Sequence, residues 1–413
     1  MVNKENLKKI IIENREFTVA VQVKQRRIEL EDHSNYIFIG QRRSGKTYFL
    51  YQLIKKQSET SDNYLFINFE DERLMEFTLE DFDTLLDMWY QLFNTKPVVY
   101  FDEIQNIEGW EKFCRRLADQ GYRIYITGSN ARMLSSEMAS TLGGRFLTKE
   151  IYPLSFGEYL EFSGIDLKDH FAYSNQKNEI VRIQDEYMHY GGLPETLRFQ
   201  QKREYLSNIY QKVFFGDILV RYKIKNDFAL KLLIKKMAES VNNETSFNRI
   251  KNLLQSAGVK AGTATLIEYF KYLEESFLIF SLTGFTSKFA EKEMKKKFYF
   301  GDTGILNLFL FDQKTKLFEN MIFTELRRRF NKPIFYFKRN LETDFYIPEE
   351  KMLIQASYSL SDMETRHREI NALISSMKEL SIQNAFIISF DDDELIKKGD
   401  FTLKIIPYWK WVL

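Results

Sequence analysis

Gly40-Gln-Arg-Arg-Ser-Gly-Lys-Thr47 has the spacing GxxxxGK[ST] of a phosphate-binding loop. The apolar residues 36–39 before it predict a buried strand, and residues 48–54 after it continue at helical spacing. The two glycines let the backbone turn its N–H groups toward phosphate oxygens, at a helix N-terminus whose dipole favours an anion. Lys46 supplies a charge for phosphates, and the hydroxyl of Thr47 supplies a ligand for Mg²⁺. The alternative is a strand–helix turn that binds nothing.

Two carboxylates end a second apolar stretch and disfavour that alternative. Residues 98–101 predict a strand, and Asp102 and Glu103 follow it. Acids at the carboxyl end of a strand in a parallel sheet face the ligand crevice. We expect Asp102 to hold Mg²⁺ and Glu103 to orient and deprotonate the attacking water of nucleotide hydrolysis. Two solvated acids at a strand end are the alternative. The predicted nucleotide-binding residues are Gly40, Gln41, Arg42, Arg43, Ser44, Gly45, Lys46 and Thr47, and the predicted metal ligands are Thr47 and Asp102.

A third strand, residues 123–127, leads to the polar pair Ser129 and Asn130. Either side chain at this place can contact the terminal phosphate or the attacking water, and we include Asn130 among the catalytic candidates with Lys46 and Glu103. Both residue types also favour the N-cap of a helix, and that role alone is the preferred explanation.

Arg145 follows Leu142-Gly-Gly and precedes a predicted strand. A cation that reaches the terminal phosphate late in the reaction stabilises transition-state charge. Arg145 is therefore a candidate for that role, within its own subunit or in a neighbour's site. A surface arginine beside a turn is the alternative. Arg42 and Arg43 are expected to point away from the phosphates, toward a neighbouring element or the adenine side of the pocket.

Composition indicates an intracellular globular protein. The 413 residues carry 59 basic and 58 acidic side chains, so no global field attracts nucleic acid. A single cysteine, Cys114, excludes an internal disulfide, and its helical neighbours place it in a core. The four histidines form no metal-binding spacing, and no apolar run is long enough to span a bilayer. The N-terminus lacks a signal-peptide pattern, and we expect a cytoplasmic location without membrane contact.

The alternation of strands and helices predicts an α/β fold with a parallel sheet. We expect a helical lead-in up to about Leu30 and strands at 36–39, 64–69, 97–102, 123–127 and 146–151. The predicted divisions are 1–153, which carries the parallel sheet, 154–225, which is mostly helical, 226–300, which has the pattern of a winged helix-turn-helix, and 301–413, which mixes helices and strands.

The chain resembles bacterial and archaeal P-loop ATPases of the AAA class that carry a C-terminal domain of unknown function with a nuclease-like core. The resemblance rests on segments that follow one another in the order found in that family. They are GQRRSGKT (40–47), YFDEIQN (100–106), TGSNARML (127–134), LGGR (142–145), YPLSFGEYL (152–160), GGLPE (191–195) and KFYFGDTGILN (297–307). The resemblance implies ATP binding and ATP hydrolysis. It implies that residues 1–153 form the ATPase domain, residues 154–225 a helical lid and residues 301–413 a nuclease-like α/β domain. It also implies the additional-strand, catalytic-glutamate type of sheet, with residues 64–69 as the inserted strand.

Two helical patterns, residues 247–254 and 263–275, flank a turn that contains Gly258 and predict the helix-turn-helix. In a DNA reader the second helix enters the major groove while basic groups touch phosphates. The predicted basic wing consists of Lys292, Lys295, Lys296 and Lys297. Among the positions expected to be exposed on the second helix, Glu268 and Glu274 are acidic, so a purely structural winged helix stays an equal alternative.

The last segment resembles the PD-(D/E)xK nuclease core, in which acids hold Mg²⁺ and a lysine assists the water. Glu319, Asp344 and Gln355 take the acid positions, but Ser357 stands where the lysine is expected. We therefore expect a domain that binds and does not cut, and Lys338 is the residue that could replace the missing charge. Together these motifs predict an Mg²⁺-dependent ATPase that acts as a switch. They do not specify its protein partner or its oligomeric state. An ATP-gated nuclease and a non-hydrolysing, nucleotide-bound DNA-binding regulator are the alternatives.

Overall fold

The computed structural model describes residues 2–59, 61–134, 136–285, 295–310, 313–330 and 332–413. The chain forms two compact units, Met1–Tyr152 and Pro153–Leu413. This division differs from the four predicted domains because the segments after Tyr152 share one hydrophobic core, which runs from Leu154 to Trp409.

The first unit contains a five-stranded parallel sheet, as predicted. Its strands are β1 (Asn35–Ile39), β2 (Tyr64–Asn68), β3 (Val98–Asp102), β4 (Ile124–Gly128) and β5 (Phe146–Glu150), in the order β2-β3-β4-β1-β5. The strand between the phosphate-loop strand β1 and the acid-bearing strand β3 is therefore β4, and the prediction that residues 64–69 are the inserted strand is wrong. Long crossovers separate consecutive parallel strands, so order along the chain does not fix order in the sheet.

Helices cover this sheet. They are α1 (Lys4–Ala20), α2 (Lys46–Ser58), α3 (Asp81–Phe93), α4 (Trp110–Asp119) and α5 (Ser136–Leu142). The lead-in helix ends at Ala20, ten residues before the predicted Leu30, and the following segment carries the β-branched residues Val21 and Val23, which disfavour a helix. Cys114 is buried in α4, as predicted.

The second unit begins with helices. They are α6 (Phe156–Phe162), α7 (Gln176–Tyr190), α8 (Lys202–Lys212), a π-helical stretch Val213–Val220, α9 (Asp227–Glu239), α10 (Phe247–Ser256) and α11 (Thr263–Glu275). An antiparallel hairpin follows, formed by β6 (Ile279–Thr283) and β7 (Lys296–Phe300).

A mixed six-stranded sheet occupies the C-terminal part of this unit. Its strands are β8 (Phe335–Lys338), β9 (Glu342–Ile347), β10 (Met352–Ser357), β11 (Asn384–Ser389), β12 (Glu394–Lys398) and β13 (Phe401–Pro407), in the order β12-β13-β11-β10-β9-β8. The associated helices are α12 (Thr303–Leu306), α13 (Lys314–Arg329), α14 (Met363–Leu380) and α15 (Tyr408–Val412). Helix α13 packs in the core that begins at Leu154, and helix α14 packs in a second apolar cluster; both clusters include residues of this sheet.

Two motif segments of the second unit meet in one contact. The carboxylate of Asp302 accepts hydrogen bonds from the backbone N–H groups of Gly192 at 2.8 Å, Gly304 at 2.9 Å and Ile305 at 3.2 Å. A Cβ atom at Gly191 would lie 2.1 Å from an oxygen of Asp302, so only glycine fits there. The glycines of segment 191–195 and the acid of segment 297–307 therefore form one structural contact. Within the described ranges, no helix is both long and apolar enough to cross a membrane.

Candidate nucleotide site

The phosphate-binding loop lies where β1 ends and α2 begins. Gly40 has φ +147°, and a Cβ atom there would lie 2.3 Å from the carbonyl oxygen of Ile151. Gly45 has φ +99° and caps α2 without any side-chain hydrogen bond. The N–H groups of a first helical turn have no partner within the helix, so this end of α2 can receive an anion.

Lys46 is buried, with 4% of its surface exposed. Its ammonium donates to the carbonyl oxygens of Gly40 and Gln41, both at 3.1 Å, and lies 3.8 Å from Oε1 of Glu103. The cation that would meet phosphate is therefore held by groups that phosphate oxygens can replace.

Asp102 is clamped by two hydroxyl groups. Thr47 Oγ1 donates to Asp102 Oδ2 at 2.9 Å, and Thr127 Oγ1 donates to Asp102 Oδ1 at 2.5 Å. Burial, together with the neighbouring charge of Glu103, raises the pKa of Asp102 to about 7. The two predicted metal ligands thus touch each other at the carboxyl edge of the sheet.

Glu103 has an unusual backbone, with φ 52° and ψ 42°. Its N–H donates to Thr127 Oγ1 at 2.9 Å, and its Oε2 accepts from Gln105 Nε2 at 2.5 Å. Burial acts to raise the pKa of Glu103, but the ammonium of Lys46 and the amide of Gln105 outweigh it, so the pKa lies below its ordinary value. An ionised carboxylate at this place suits a general base.

Unpaired buried atoms in the loop fit a bound nucleotide. Ser44 Oγ and Gln41 Oε1 are buried and have no hydrogen-bond partner among the residues that the structure describes. A buried polar atom without a partner is costly, so a polar ligand is the natural explanation. Thr47 and Asp102 offer two oxygen ligands for Mg²⁺, which usually completes its shell with water and substrate phosphates. The residues present therefore fit Mg²⁺ and ATP.

The remaining predicted residues lie either in the phosphate loop or just after β4. Arg42 donates to Glu70 Oε1 from both terminal nitrogens, at 2.7 and 2.8 Å, so it contacts a neighbouring element, one of the two placements predicted. Arg43 is exposed, with φ 67°. Ser129 and Asn130 are buried just after β4, at the same sheet edge as Asp102. The catalytic role of Asn130 stays a prediction.

Arg145 lies at the other end of the sheet. In the parallel pairing of β1 with β5, Asn35 is opposite Phe146 and Ile39 is opposite Glu150, so Arg145 is level with the start of β1. At roughly 3.3 Å per residue the phosphate loop is about 15–20 Å away. Arg145 also forms an ion pair with Asp119 and donates to the carbonyl of Gly143 at 2.7 Å. The predicted role within its own subunit is therefore wrong.

Three residues of this region were missed from the sequence. Thr127 and Gln105 contact the two acids directly. Arg26 lies in the non-helical segment before β1 and donates to the carbonyl oxygens of Ser44 at 3.0 Å and Tyr152 at 2.9 Å. Gln105 and Thr127 had a sequence signal, since they lie within the motifs YFDEIQN and TGSNARML, whereas Arg26 had none.

The predicted DNA-contacting lysines do not form one exposed wing. Lys297 is fully buried, so its assignment to the wing is wrong. Its position on β7 turns it inward, because side chains alternate along a strand. Lys292 lies outside the described residues, Lys296 is partly buried and Lys295 is exposed. Glu274 accepts hydrogen bonds from Ser281 N and Oγ at 3.3 and 3.0 Å, so it is not the exposed acid that was expected on α11.

Lys297 instead enters the predicted nuclease pocket. Its ammonium lies 2.7 Å from Glu342, 3.0 Å from Asp344 and 3.5 Å from Glu319. Burial opposes its charge, but these carboxylates raise the pKa of Lys297 well above its ordinary value. Burial and Asp344 raise the pKa of Glu319 to about 7.

The rest of the pocket is also internally paired. Gln355 accepts from the N–H of Asp344 at 3.2 Å and donates to Glu369 at 2.6 Å. Ser357 is buried and donates to the carbonyl of Ser359. Lys338, the expected substitute cation, has 43% of its side chain exposed and pairs with Glu342 and Glu244 at its rim, so that expectation is wrong.

Comparison with known proteins agrees with the geometry of the first unit. The AAA domain family matches residues 32–160, and a domain of unknown function (DUF8612) matches residues 181–316. An uncharacterized protein of Methanocaldococcus jannaschii is 35% identical over 430 residues, covering 100% of this chain and 96% of that protein. One of Haemophilus influenzae is 31% identical over 306 residues, covering 71% of this chain and 74% of that protein. The solved Walker-type ATPase of Pyrococcus abyssi aligns with 75% of this chain and 96% of its own, at 14% identity and a TM-score of 0.43.

Proposed function

This chain belongs to a family of AAA-domain proteins, and on that premise we propose that it binds ATP with Mg²⁺ and hydrolyses it at the carboxyl edge of its parallel sheet. The observation that carries the proposal is the convergence of two pairs. Thr47 contacts Asp102 at 2.9 Å, and Lys46 lies 3.8 Å from Glu103. Groups for metal binding, phosphate binding and proton removal therefore adjoin one another.

The hydrogen bonds of Lys46 indicate which contacts change when ATP binds. Phosphate oxygens replace the carbonyls of Gly40 and Gln41 as partners of the ammonium, and the attraction between Lys46 and Glu103 weakens. Glu103 then accepts a proton from the attacking water, while Thr127 holds the backbone N–H of Glu103 in place. Mg²⁺ on Thr47 and Asp102 would supply charge neutralisation at the phosphates.

A phosphate-release assay tests the proposal. Lys46→Ala is expected to abolish ATP binding, because the buried charge facing the phosphates is gone. Glu103→Gln is expected to bind ATP and to lower turnover at least about 100-fold, because the general base is lost while Asp102 persists. Chelation of Mg²⁺ should stop wild-type turnover. Equal turnover in wild type and Glu103→Gln would refute the role proposed for Glu103, whereas no turnover by wild type would favour a non-hydrolysing regulator.

DNA association is a second proposed function, carried by the helices α9, α10 and α11 with the β6–β7 hairpin, which we propose to be a winged helix-turn-helix. Lys251 on α10 and Lys260 in the turn before α11 line an open cleft of about 560 Å³. Cations beside a helix N-terminus suit contact with a DNA phosphate. With Lys297 excluded, these two lysines and the exposed Lys295 are the proposed contacts.

Salt-dependent binding separates this proposal from a structural winged helix. The double variant Lys251→Gln/Lys260→Gln should weaken binding of duplex DNA across sequences and reduce the slope of log affinity against log salt by about 2. The exposed pair Lys397 and Lys398 on β12, changed to glutamine in the same way, is the matched control. Absence of salt-sensitive DNA binding by wild type, with and without ATP, would leave the helices a structural role.

We propose that the C-terminal sheet is a recognition module that does not cleave nucleic acid. Glu319, Asp344 and Gln355 are each less than 7% exposed, and the internal ammonium of Lys297 pairs with both acids. A scissile phosphate must reach a metal ion held by these acids, and their burial prevents that approach here. Incubation with Mg²⁺ or Mn²⁺ and linear, supercoiled or single-stranded DNA should therefore give no products. Cleavage that disappears in Asp344→Ala but persists in Lys46→Ala would favour the nuclease alternative.

A further inference from the structure

The side chain of Gln105 bridges the groups around the proposed general base. It lies on the short helix Ile104–Asn106, directly after Glu103. Its Nε2 donates to Glu103 Oε2 at 2.5 Å and lies 3.4 Å from Ser129 Oγ. An ionised carboxylate only accepts hydrogen bonds, so the amide must present its nitrogen to Glu103 and its oxygen elsewhere.

That oxygen is buried and unpaired. Gln105 Oε1 has no hydrogen-bond partner among the described residues. It lies over the end of β4, because a Cβ atom on Gly128 would be 2.9 Å from it. A buried acceptor without a partner is destabilising, which indicates a partner supplied during function.

We propose that Gln105 Oε1 accepts a hydrogen bond from the water that attacks ATP, so that Gln105 and Glu103 hold this water from two sides. The inference rests on the proposed ATPase function and assigns a further residue to its site. One amide then performs two tasks, since its nitrogen fixes the carboxylate and its oxygen fixes the nucleophile.

The chemical step balances with these groups alone. The water oxygen forms a bond to the γ-phosphorus, and the bond from that phosphorus to the bridging oxygen breaks, leaving its electron pair on ADP. One proton of the water passes to Glu103. The second proton remains on the new phosphate oxygen, hydrogen-bonded to Gln105 Oε1 during the attack. Misplacing a nucleophile by about 1 Å costs on the order of 100-fold in rate.

The experiment compares wild type with Gln105→Ala, Gln105→Glu and Asn106→Ala, the last being an exposed neighbour on the same short helix. Phosphate release gives kcat and KM, a non-hydrolysable ATP analogue gives affinity, and thermal unfolding monitors the fold. Gln105→Ala should lower kcat by about 30- to 100-fold and leave analogue affinity within about threefold. Gln105→Glu keeps an acceptor but removes the donor to Glu103 and adds a like charge, so it should lower kcat at least as much. Asn106→Ala should match wild type.

The outcomes are distinguishable. If wild type hydrolyses ATP and the kcat of Gln105→Ala lies within about twofold of the wild-type kcat, this inference is overturned and the proposed ATPase function stands. Parallel loss of analogue affinity and kcat would also overturn it, because it would indicate a structural role. A wild-type protein that binds ATP without turnover would overturn the proposed function, and this inference with it.

Discussion

The ammonium of Lys297 lies 3.0 Å from the carboxylate of Asp344, and both groups are buried. Lys297 belongs to the β6–β7 hairpin, and Asp344 belongs to β9 of the C-terminal sheet. Their pairing joins two segments that the sequence assigns to separate domains. A positive charge thus stands among the acids of the pocket, although the strand that should carry it has Ser357 instead.

The first prediction concerns this ion pair. Lys297→Met leaves Glu319, Glu342 and Asp344 without their shared cation. Breaking a buried pair on one side costs about 3–5 kcal/mol of unfolding free energy. Lys338→Met, which removes a partly exposed cation beside the same Glu342, should cost about 1 kcal/mol or less. Denaturant unfolding of the two variants gives the comparison.

The loss in Lys297→Met should depend on pH in a definite direction. Lys297 lowers the pKa of Glu319 and of Glu342, so its removal raises both. A carboxyl group whose folded pKa exceeds its unfolded value destabilises the fold above that pKa, and protonation relieves the penalty as pH falls. The difference from wild type should therefore be largest near pH 8 and shrink toward about pH 5. A constant difference would contradict the assignment.

The second prediction concerns Arg145. Since it lies at the edge of the sheet opposite the phosphate loop, Arg145→Ala should keep ATP turnover within about twofold at dilutions where the protein is monomeric. A large loss in the monomer would contradict the strand register. A loss that appears only at high protein concentration, and that mixing with Lys46→Ala subunits restores, would identify Arg145 as a residue acting in a neighbour's site.

The third prediction concerns Arg26, whose guanidinium holds the carbonyl of Ser44 in the phosphate loop. Arg26→Ala should weaken ATP affinity about tenfold, because a charged hydrogen bond is worth about 1.5–3 kcal/mol and loss of it loosens the loop. The exposed neighbour Arg27, changed to alanine, is the control. Calorimetric titration with a non-hydrolysable analogue measures both, and equal affinities would show that the loop holds its shape without Arg26.

The fourth prediction concerns Asp302, whose carboxylate accepts three backbone N–H groups. Asp302→Asn turns one acceptor into an NH₂ group that faces the N–H of Gly192 or those of Gly304 and Ile305. The expected cost is about 1–3 kcal/mol in unfolding free energy. Asp400→Asn at an exposed turn serves as the control. Equal melting temperatures for the two variants would show that this contact is dispensable.

The nucleotide site could be predicted from the sequence largely because its chemistry is local. The phosphate loop lies in eight consecutive residues, and Asp102 and Glu103 adjoin a recognisable strand. Thr127 escaped prediction because a threonine at a strand end is common, and only sheet order places it beside Asp102. Arg26 escaped because its partners, Ser44 and Tyr152, are brought to it by the fold.

Sequence reasoning failed at Lys297 for a related reason. A run of lysines suggests a solvated surface, yet the pleat of β7 turns this one inward, toward acids that come from α13 and β9. Alternation along a strand is visible in a sequence only when its neighbours differ in polarity. Here three lysines precede Phe298, so the pattern gave no sign of which of them is buried.

The close contact between Asp302 and Gly191 also constrains how proteins with this second unit can diverge in sequence. A side chain at residue 191 would collide with the acid, and loss of the acid would leave the N–H of Gly192 unpaired. Neither residue can change first without harm, so the two segments must be inherited as a pair. A recombinant whose crossover falls between them is expected to be less stable unless both parents carry this same match. These two segments of the second unit are therefore expected to diverge together, although more than a hundred residues separate them along the chain.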